Sequence, residues 1–374
     1  MIYLDYNATT PVHPNVLEEM LPFSRELFAN SGSRTHEPGR SVEKIISQSR
    51  SNLASYFNLE PNNVIFTSGA TEANNIVILG LKKYLKDSGK SKIITSSFEH
   101  KSVLEPIRYL EREEAIEVRY IDPQPNGKVA LEEFKEAIDE KTGLVTLMHV
   151  NNELGTVQPV LEIANYAKSK GALVHVDGAQ GFCKTNIKLS NFIDYYTVSA
   201  HKIYGPKGVG CLFINGRKAK KPLSPVYYGG GQELGLRPGT LPTPLIVGLS
   251  KAADVCKKLY SDKNKKELAT QINGIYEGLK SIPHLHVNTE IDSELCTTLN
   301  FRIDGIKSEA LLLRLKELAL SNGSACSSTD YKPSHVLKAI GLSDKEALES
   351  IRLTISPYKS VSPNSIINEF KKII

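Results

Sequence analysis

The feature that most constrains the fold is an alternation of short β-branched runs with amphipathic helical stretches over the first two thirds of the chain. The predicted strands are 64–67, 92–96, 117–121, 144–150, 173–176, 195–199 and 210–214. Helical patterns between them include 73–86 and 161–170. Strands that alternate with helices build a mostly parallel sheet covered on both faces, and such sheets bind ligands at the carboxyl ends of their strands. We therefore expect functional side chains in the loops that follow the strands.

The last third has a different pattern. Its predicted helices are 246–257, 265–281, 308–318 and 334–340, its predicted strands are 298–303 and 352–356, and Ser362-Pro363 opens a C-terminal helix. Because 374 residues with 40% hydrophobic content exceed one ordinary core, we expect two domains. The large α/β domain is predicted at 15–255, and a smaller α+β domain at 1–14 and 256–374.

Composition excludes several classes of protein. The formal net charge of +5 is mild, and the densest basic stretch, 217–221, is better explained by a solvated loop than by a nucleic-acid site. We find no apolar run of the roughly 18–20 residues that a membrane span needs, and no secretory signal. Five cysteines without a CxxC pair indicate neither a disulfide framework nor a zinc site, so we expect a cytoplasmic protein without a structural metal.

Two of the loops after predicted strands carry small or acidic residues. Segment 67–74, Thr-Ser-Gly-Ala-Thr-Glu-Ala-Asn, precedes a helix, so its backbone N–H groups and Thr71 can bind a phosphate. An ordinary helix N-cap would also explain it. Asp177 ends another strand, where a carboxylate can pair with a protonated pyridine nitrogen, although a buried helix-capping acid has the same appearance.

The third loop carries lysine. Segment 199–208, Ser-Ala-His-Lys-Ile-Tyr-Gly-Pro-Lys-Gly, places Lys202 just after a strand, and lysine is the residue that forms an imine with an aldehyde. Lys207 competes, but it lies beyond the Gly-Pro turn, so Lys202 is the preferred residue. Phosphate loop, acid and lysine occur in the order found in fold-type I enzymes that use pyridoxal 5'-phosphate (PLP), which this chain resembles.

The resemblance narrows to the cysteine desulfurases of the NifS/IscS type. The segments that carry it are 3–11, 66–74, 148–155, 199–208 and 239–242, spread over nearly the whole chain. It implies a homodimer that uses PLP and L-cysteine. The residues it assigns to the cofactor are Ala70, Thr71, His100, Asn151, Asp177, Gln180, Ser199, His201, Lys202 and Thr240.

The resemblance also implies individual roles. His100 stacks on the pyridine ring and moves protons, whereas Ala70, Thr71, Ser199 and His201 hold the phosphate. Asn151 and Gln180 bond the ring oxygen, and Thr240 reaches the phosphate of the neighbouring subunit. For the substrate, Arg352 would bind the carboxylate, with Asn151 near it.

The segment around Cys326 decides the expected reaction. Leu-Ser-Asn-Gly-Ser-Ala-Cys-Ser-Ser-Thr, at 320–329, has no apolar packing partners for a cysteine, which indicates a reactive thiol in a loop at about 320–332. By the resemblance, Lys202 removes the α-proton of L-cysteine, and the Cys326 thiolate takes the sulfur as a persulfide while L-alanine leaves. A protein acceptor then receives the sulfur for iron–sulfur assembly, tRNA thiolation or DNA phosphorothioation.

Three departures from the family pattern keep alternatives open. Leu234 stands where an arginine is frequent, the segment after Arg352 lacks the usual Gly-Arg or Ser-Arg, and the chain stops at Ile374 without the extension of housekeeping members. The alternatives are a selenocysteine lyase and a PLP-fold protein that serves as a binding or regulatory partner. A transaminase is a further option, but its chemistry does not require Cys326.

Overall fold

The computed structural model describes residues 1–187, 189, 192–216, 222–323 and 332–373. Within these ranges the strands are β1 (Ile2–Tyr3), β2 (Val64–Thr67), β3 (Lys92–Ser96), β4 (Glu117–Ile121), β5 (Thr142–Met148), β6 (Leu173–Asp177), β7 (Tyr195–Ser199), β8 (Gly210–Ile214), β9 (Leu285–Val287), β10 (Thr298–Ile303), β11 (Leu318–Ala319) and β12 (Ser350–Thr354). The α-helices are α1 (Pro14–Met20), α2 (Pro22–Arg25), α3 (Glu37–Ser55), α4 (Ala70–Gly80), α5 (Lys82–Asp87), α6 (Lys101–Glu114), α7 (Leu131–Ala137), α8 (Val160–Ser169), α9 (Thr243–Leu259), α10 (Asp262–Lys280), α11 (Ser308–Arg314), α12 (His335–Ala339), α13 (Asp344–Glu349) and α14 (Pro363–Lys371).

The central sheet has seven strands in the order β2-β8-β7-β6-β5-β3-β4. Neighbouring strands are parallel except that β8 is antiparallel to both β2 and β7. Only residues 200–209 join β7 to β8, and a parallel crossover needs about a dozen residues or more, so the chain turns back there. The carboxyl ends of β2, β3, β5, β6 and β7 consequently lie at one edge. The predicted α/β class with a mostly parallel seven-stranded sheet is confirmed.

Burial explains why the positions of the strands could be predicted from the sequence. Every residue of β2, β3, β5, β7 and β8 is buried, as expected for strands covered on both faces. Strand β4 lies at the sheet edge, and its residues Glu-Val-Arg-Tyr-Ile alternate between exposed and more buried positions. Sequence pattern and position in the sheet therefore agree.

Two predicted helices have different ends in the structure. The helix predicted at 308–318 ends at Arg314, and Leu318–Ala319 forms β11, which pairs in parallel with β1. The stretch predicted as one helix at 73–86 is divided into α4 and α5 after Gly80, whose carbonyl accepts a hydrogen bond from the backbone of Ser224. Both corrections arise from partners distant in sequence, which local periodicity does not encode.

The last third forms a three-stranded antiparallel sheet with β10 between β9 and β12. Helix α10 packs against α14 and against β9 and β10. Helix α14 follows Ser362 as predicted and buries Ile366, Ile367 and Phe370. The division into domains at 255/256 stays a prediction, and helix α9 runs through that boundary.

Candidate active site

A cavity of about 510 Å³ lies at the edge of the sheet where the parallel strands end. It is lined by nine of the residues singled out from the sequence, which come from loops far apart in the chain. They are Ala70, Thr71, His100, Asp177, Gln180, Ser199, His201, Lys202 and Arg352. The fold thus brings most of the predicted site together.

Lys202 lies in the single turn Ala200–Lys202 that follows β7. Its Nζ donates hydrogen bonds to the backbone carbonyl oxygens of Asn7, at 2.6 Å, and Ala8, at 2.8 Å. Lys207 also lines the cavity, but it is exposed. The amine of Lys202 is therefore the one held by the N-terminal segment inside the site.

Asp177 ends β6 and is only 6% exposed. Its Oδ1 accepts from the backbone N–H of Ala179 at 3.0 Å, and its Oδ2 accepts from Asn74 Nδ2 at 2.8 Å. Asn74 also donates to Ser102 Oγ at 2.9 Å, and that oxygen lies 2.8 Å from His100 Nδ1. A continuous hydrogen-bond chain therefore links the acid to the histidine.

His100 sits at the N-cap of α6, where its Nδ1 accepts from the backbone N–H of Ser102 at 3.1 Å. Burial lowers the pKa of His100 below its ordinary value, with Lys202 acting in the same direction and Asp177 opposing both. Near neutral pH the imidazole is thus uncharged, and because Nδ1 accepts a hydrogen bond, Nε2 carries the ring hydrogen and can donate it.

The loop between β2 and α4 forms an anion cradle. Helix α4 begins at Ala70, and its N-cap Gly69 supplies no side-chain cap for the first-turn N–H groups. Gly69 has φ +151°, a conformation that favours glycine. Ser199 lies beside this loop, and a Cβ at Gly210 would lie only 2.8 Å from Gly69 Cα. Two glycines therefore let uncapped N–H donors face the cavity, an arrangement suited to a phosphate group.

Charged groups border the cradle. Glu72 accepts hydrogen bonds from the backbone N–H of Ser68 and from Arg237 Nε, the latter at 3.0 Å. Burial lowers the pKa of His201 to about 4, with help from the nearby lysines Lys202 and Lys207. His201 is thus neutral near pH 7 and serves the cradle as a polar rather than a charged group.

Gln180 follows the same strand as Asp177 and is buried. Its Nε2 donates to the backbone carbonyl of Asn7 at 2.7 Å, and its Oε1 accepts from Lys184 Nζ at 3.1 Å. The Asn7 carbonyl therefore accepts hydrogen bonds from both Gln180 and Lys202.

Arg352 projects from β12 and is 2% exposed. Its Nη1 donates to the backbone carbonyl of Asn152 at 2.8 Å, and its Nη2 forms an ion pair with Asp5 Oδ1 at 2.5 Å. Its Nε is buried without a hydrogen-bond partner among the described residues. An unpaired donor next to paired ones suits recognition of an incoming carboxylate.

Glu99 adds a second buried carboxyl group close to Asp177. Its Oε1 accepts from Ser96 Oγ at 2.7 Å and from the backbone N–H of Met148 at 2.8 Å. Burial raises the pKa of Glu99 to about 8, with a smaller contribution from Asp177 in the same direction. Glu99 is thus largely neutral near pH 7.

Asn151 does not line the cavity, and its predicted contacts with the cofactor and the substrate stay predictions. It is fully buried, and its Oδ1 accepts from the backbone N–H groups of Glu153 at 2.8 Å and Leu154 at 2.9 Å. The next residue, Asn152, lines the cavity instead. The Asn151 side chain thus caps the turn after β5.

Thr240 does not line the cavity of its own chain. It is exposed and borders a separate concavity together with Leu234, which is 43% exposed. Its predicted role requires a second subunit and stays a prediction. Cys326 and most of the predicted 320–332 loop lie outside the described residues.

None of the four cysteines that the structure describes lines the cavity. All four are free thiols, and burial raises the pKa of each, so none is a ready nucleophile. They are Cys183, Cys211, Cys256 and Cys296.

Sequence reasoning missed four residues that organise the site. Asn74 and Ser102 connect Asp177 to His100, Asn7 receives Lys202, and Asp5 pairs with Arg352. For Asn74 a signal was available, since it is a polar residue on the buried face of an otherwise apolar helix.

Comparison with known proteins agrees with this geometry. The family model described as "Aminotransferase class-V" matches residues 2–362. The chain is 42% identical over 361 residues to the cysteine desulfurase IscS of Rickettsia akari, which covers 96% of this chain and 87% of the relative. A solved NifS-like protein matches with TM-score 0.91 and 33% identity, over 100% of this chain and 98% of the other. A structure of SspA in complex with cysteine matches with TM-score 0.81 and 38% identity, over 96% and 100%.

The described ranges contain neither a membrane-spanning helix nor a cluster of metal-binding side chains. No helix there is both long and apolar enough to cross a membrane. No group of three or more histidine, cysteine, aspartate or glutamate side chains in that part of the chain is arranged to hold a metal ion.

Proposed function

The chain belongs to the aminotransferase class-V family and is a cysteine desulfurase of the NifS/IscS type; from this we propose that Lys202 holds PLP and that Cys326 receives the sulfur of L-cysteine. The family consists of PLP enzymes. The observation that carries the proposal is the convergence of a lysine amine, a buried carboxylate and an uncapped helix N-terminus on one cavity.

The donor set fits the cofactor. The cradle of Ala70, Thr71, Ser199 and His201 would hold the phosphate, and Asp177 would hold the ring nitrogen in its protonated form. His100 would lie against the ring. When bound, PLP supplies an electron sink that stabilises negative charge at the α-carbon of an amino acid.

The residues of the chain then divide the work. Arg352 would bind the carboxylate of L-cysteine, using the unpaired Nε beside its existing partners, and so fix the direction of the α-hydrogen. Lys202, whose amine donates a hydrogen bond to the Asn7 carbonyl inside the cavity, would accept the α-proton and return it. Neutral His100 would move protons beside the ring.

Cys326 completes the reaction. Its thiolate attacks the substrate sulfur, so the carbon–sulfur bond breaks, a sulfur–sulfur bond forms, and the β-carbon takes up a proton to give L-alanine. The persulfide carries the sulfur to a protein acceptor. The raised pKa values of the four described cysteines, all away from the cavity, support Cys326 as the acceptor by elimination.

The test measures alanine and persulfide from L-cysteine for the wild type, Cys326→Ala and the control Cys296→Ala. We expect the wild type and the control to form one persulfide per subunit and to release alanine on repeated turnover. Cys326→Ala should bind PLP with an unchanged spectrum and form neither product. A variant that desulfurates at the wild-type rate would refute the role of Cys326.

We further propose a cytoplasmic homodimer. Free thiols at all described cysteines support a reducing compartment. Exposed Tyr228, at 87%, and Leu234 lie on the segments near Thr240, and such apolar exposure supports a subunit contact there. Analytical ultracentrifugation should give the sedimentation of a dimer. Thr240→Ala should weaken PLP binding without dissociating the dimer.

The protein that accepts the sulfur could serve iron–sulfur assembly or tRNA or DNA thiolation. Transfer of radiolabelled sulfur from Cys326 in native extract distinguishes these.

A further inference from the structure

Lys184 is a buried lysine outside the cavity, and the mechanism above does not use it. Lys184 is 4% exposed, and its ammonium group donates a hydrogen bond to Gln180 Oε1 at 3.1 Å. Burial lowers its pKa to about 8. Burial of an ammonium group costs free energy unless hydrogen bonds or an opposite charge compensate it.

The backbone before Lys184 is also strained. Cys183 has φ +61°, in the left-handed region that non-glycine residues rarely adopt. This residue lies in the turn after β6, where Lys184 donates its backbone N–H to Gly181. The turn carries the lysine back beneath Gln180, whose Oε1 accepts from Lys184 Nζ at 3.1 Å. The strained backbone at Cys183 and the burial of Lys184 thus both accompany the hydrogen bond from Lys184 to Gln180.

That bond fixes which end of the Gln180 carboxamide faces the site. An ammonium group can only donate, so it requires Oε1. The Asn7 carbonyl can only accept, so it requires Nε2, which lies 2.7 Å from it. The two partners therefore select the same orientation, and the N–H donors of Gln180 face the cavity and the carbonyl that also receives Lys202.

We propose that Lys184 is a positioning residue that holds the Gln180 carboxamide with Nε2 toward the cofactor site. The inference rests on the proposed function, because PLP is the group that Gln180 would contact. It assigns to the Lys184–Gln180–Asn7 chain the task of presenting an N–H donor beside Lys202.

The test is a double-mutant cycle on PLP binding. Apoprotein of the wild type, Lys184→Met, Gln180→Leu and the double variant is titrated with PLP, and the dissociation constant and visible spectrum are recorded. We expect Lys184→Met to weaken PLP binding about tenfold, since a buried carbonyl oxygen loses its donor. In the Gln180→Leu background the same substitution should change the constant less than twofold.

Lys92→Met is the matched control. Lys92 is also a buried lysine, but it bonds Asp139 and the carbonyl of Ala137, far from the cavity. It should retain wild-type PLP affinity. The melting temperature of Lys184→Met, recorded in parallel, separates a loss of PLP affinity from a loss of folding.

Two results would overturn the inference: wild-type PLP affinity in Lys184→Met, or a full effect of that substitution in the Gln180→Leu background. If Lys184→Met does not fold, Gln180→Glu tests the same contact from the other side. It keeps an acceptor for Lys184 but loses the N–H donor, so undiminished PLP affinity would again refute the role. Failure of the proposed function differs, because then the wild type and Lys92→Met would not bind PLP either.

Discussion

Replacement of Glu99 by glutamine should uncouple the stability of the protein from pH. Glu99 is fully buried, and one of its oxygens has no hydrogen-bond partner in the described structure. Glutamine keeps the shape and the acceptor for Ser96 and Met148. At pH 5, where the glutamic acid is neutral in the folded state, the two proteins should differ little.

The magnitude follows from the pKa. Burial raises the pKa of Glu99 to about 8 in the folded protein, whereas the unfolded chain loses this proton near pH 4.3. Between these values the folded state binds more protons, so wild-type stability falls by about 1.4 kcal/mol for each pH unit. From pH 5 to pH 7 the loss is about 3 kcal/mol. For a chain of 374 residues, this corresponds to about 4 °C in melting temperature.

Differential scanning calorimetry at saturating PLP measures this difference. The melting temperature of Glu99→Gln minus that of the wild type should rise by about 4 °C between pH 5 and pH 7. Exposed Glu18→Gln serves as the control and should follow the wild type. Parallel pH profiles for Glu99→Gln and the wild type would mean that Glu99 is ionised in the fold, and would refute the argument that burial keeps it neutral near pH 7.

Three further predictions concern the cavity. Arg352→Lys loses the unpaired Nε and the planar fork, so the KM for L-cysteine should rise about 10- to 100-fold in alanine-release assays, and an unchanged KM would exclude Arg352 from substrate binding. Asn151→Ala should lower stability by about 1–3 kcal/mol, because two backbone N–H groups lose their acceptor, and should also weaken PLP binding; wild-type PLP affinity in this variant would contradict the predicted contact with the cofactor. Gly210→Ala would push on Gly69 of the cradle, so PLP affinity measured by titration should fall more than about tenfold, and normal affinity would contradict the cradle.

Most of the fold could be predicted because a strand that is buried on both faces is a short continuous run of apolar and β-branched residues. Five of the seven central strands have the predicted ends. Helix 308–318 was too long because β11 forms only by pairing with β1, about 300 residues away. Such pairings leave no local periodicity.

The site was predicted to the extent that motifs imply it. Nine predicted residues line one cavity. The turn that Asn151 caps could not be predicted, because its acceptor geometry exists only in the folded chain. Asp5 and Lys184 act through contacts whose geometry exists only in the folded chain.

The ion pair between Asp5 and Arg352 joins residues 347 positions apart, and this has a consequence for biosynthesis. The residues whose carbonyl groups accept hydrogen bonds from Lys202 are synthesised early, whereas Arg352 is synthesised 347 positions after Asp5. At about 5–20 residues per second, Arg352 is synthesised roughly 20–70 seconds after Asp5. A nascent chain can build the sheet during that time, but it cannot close the site. Binding of the substrate carboxylate should therefore require a chain that extends beyond Arg352, and ribosome-bound chains arrested before Arg352 should not form alanine from L-cysteine.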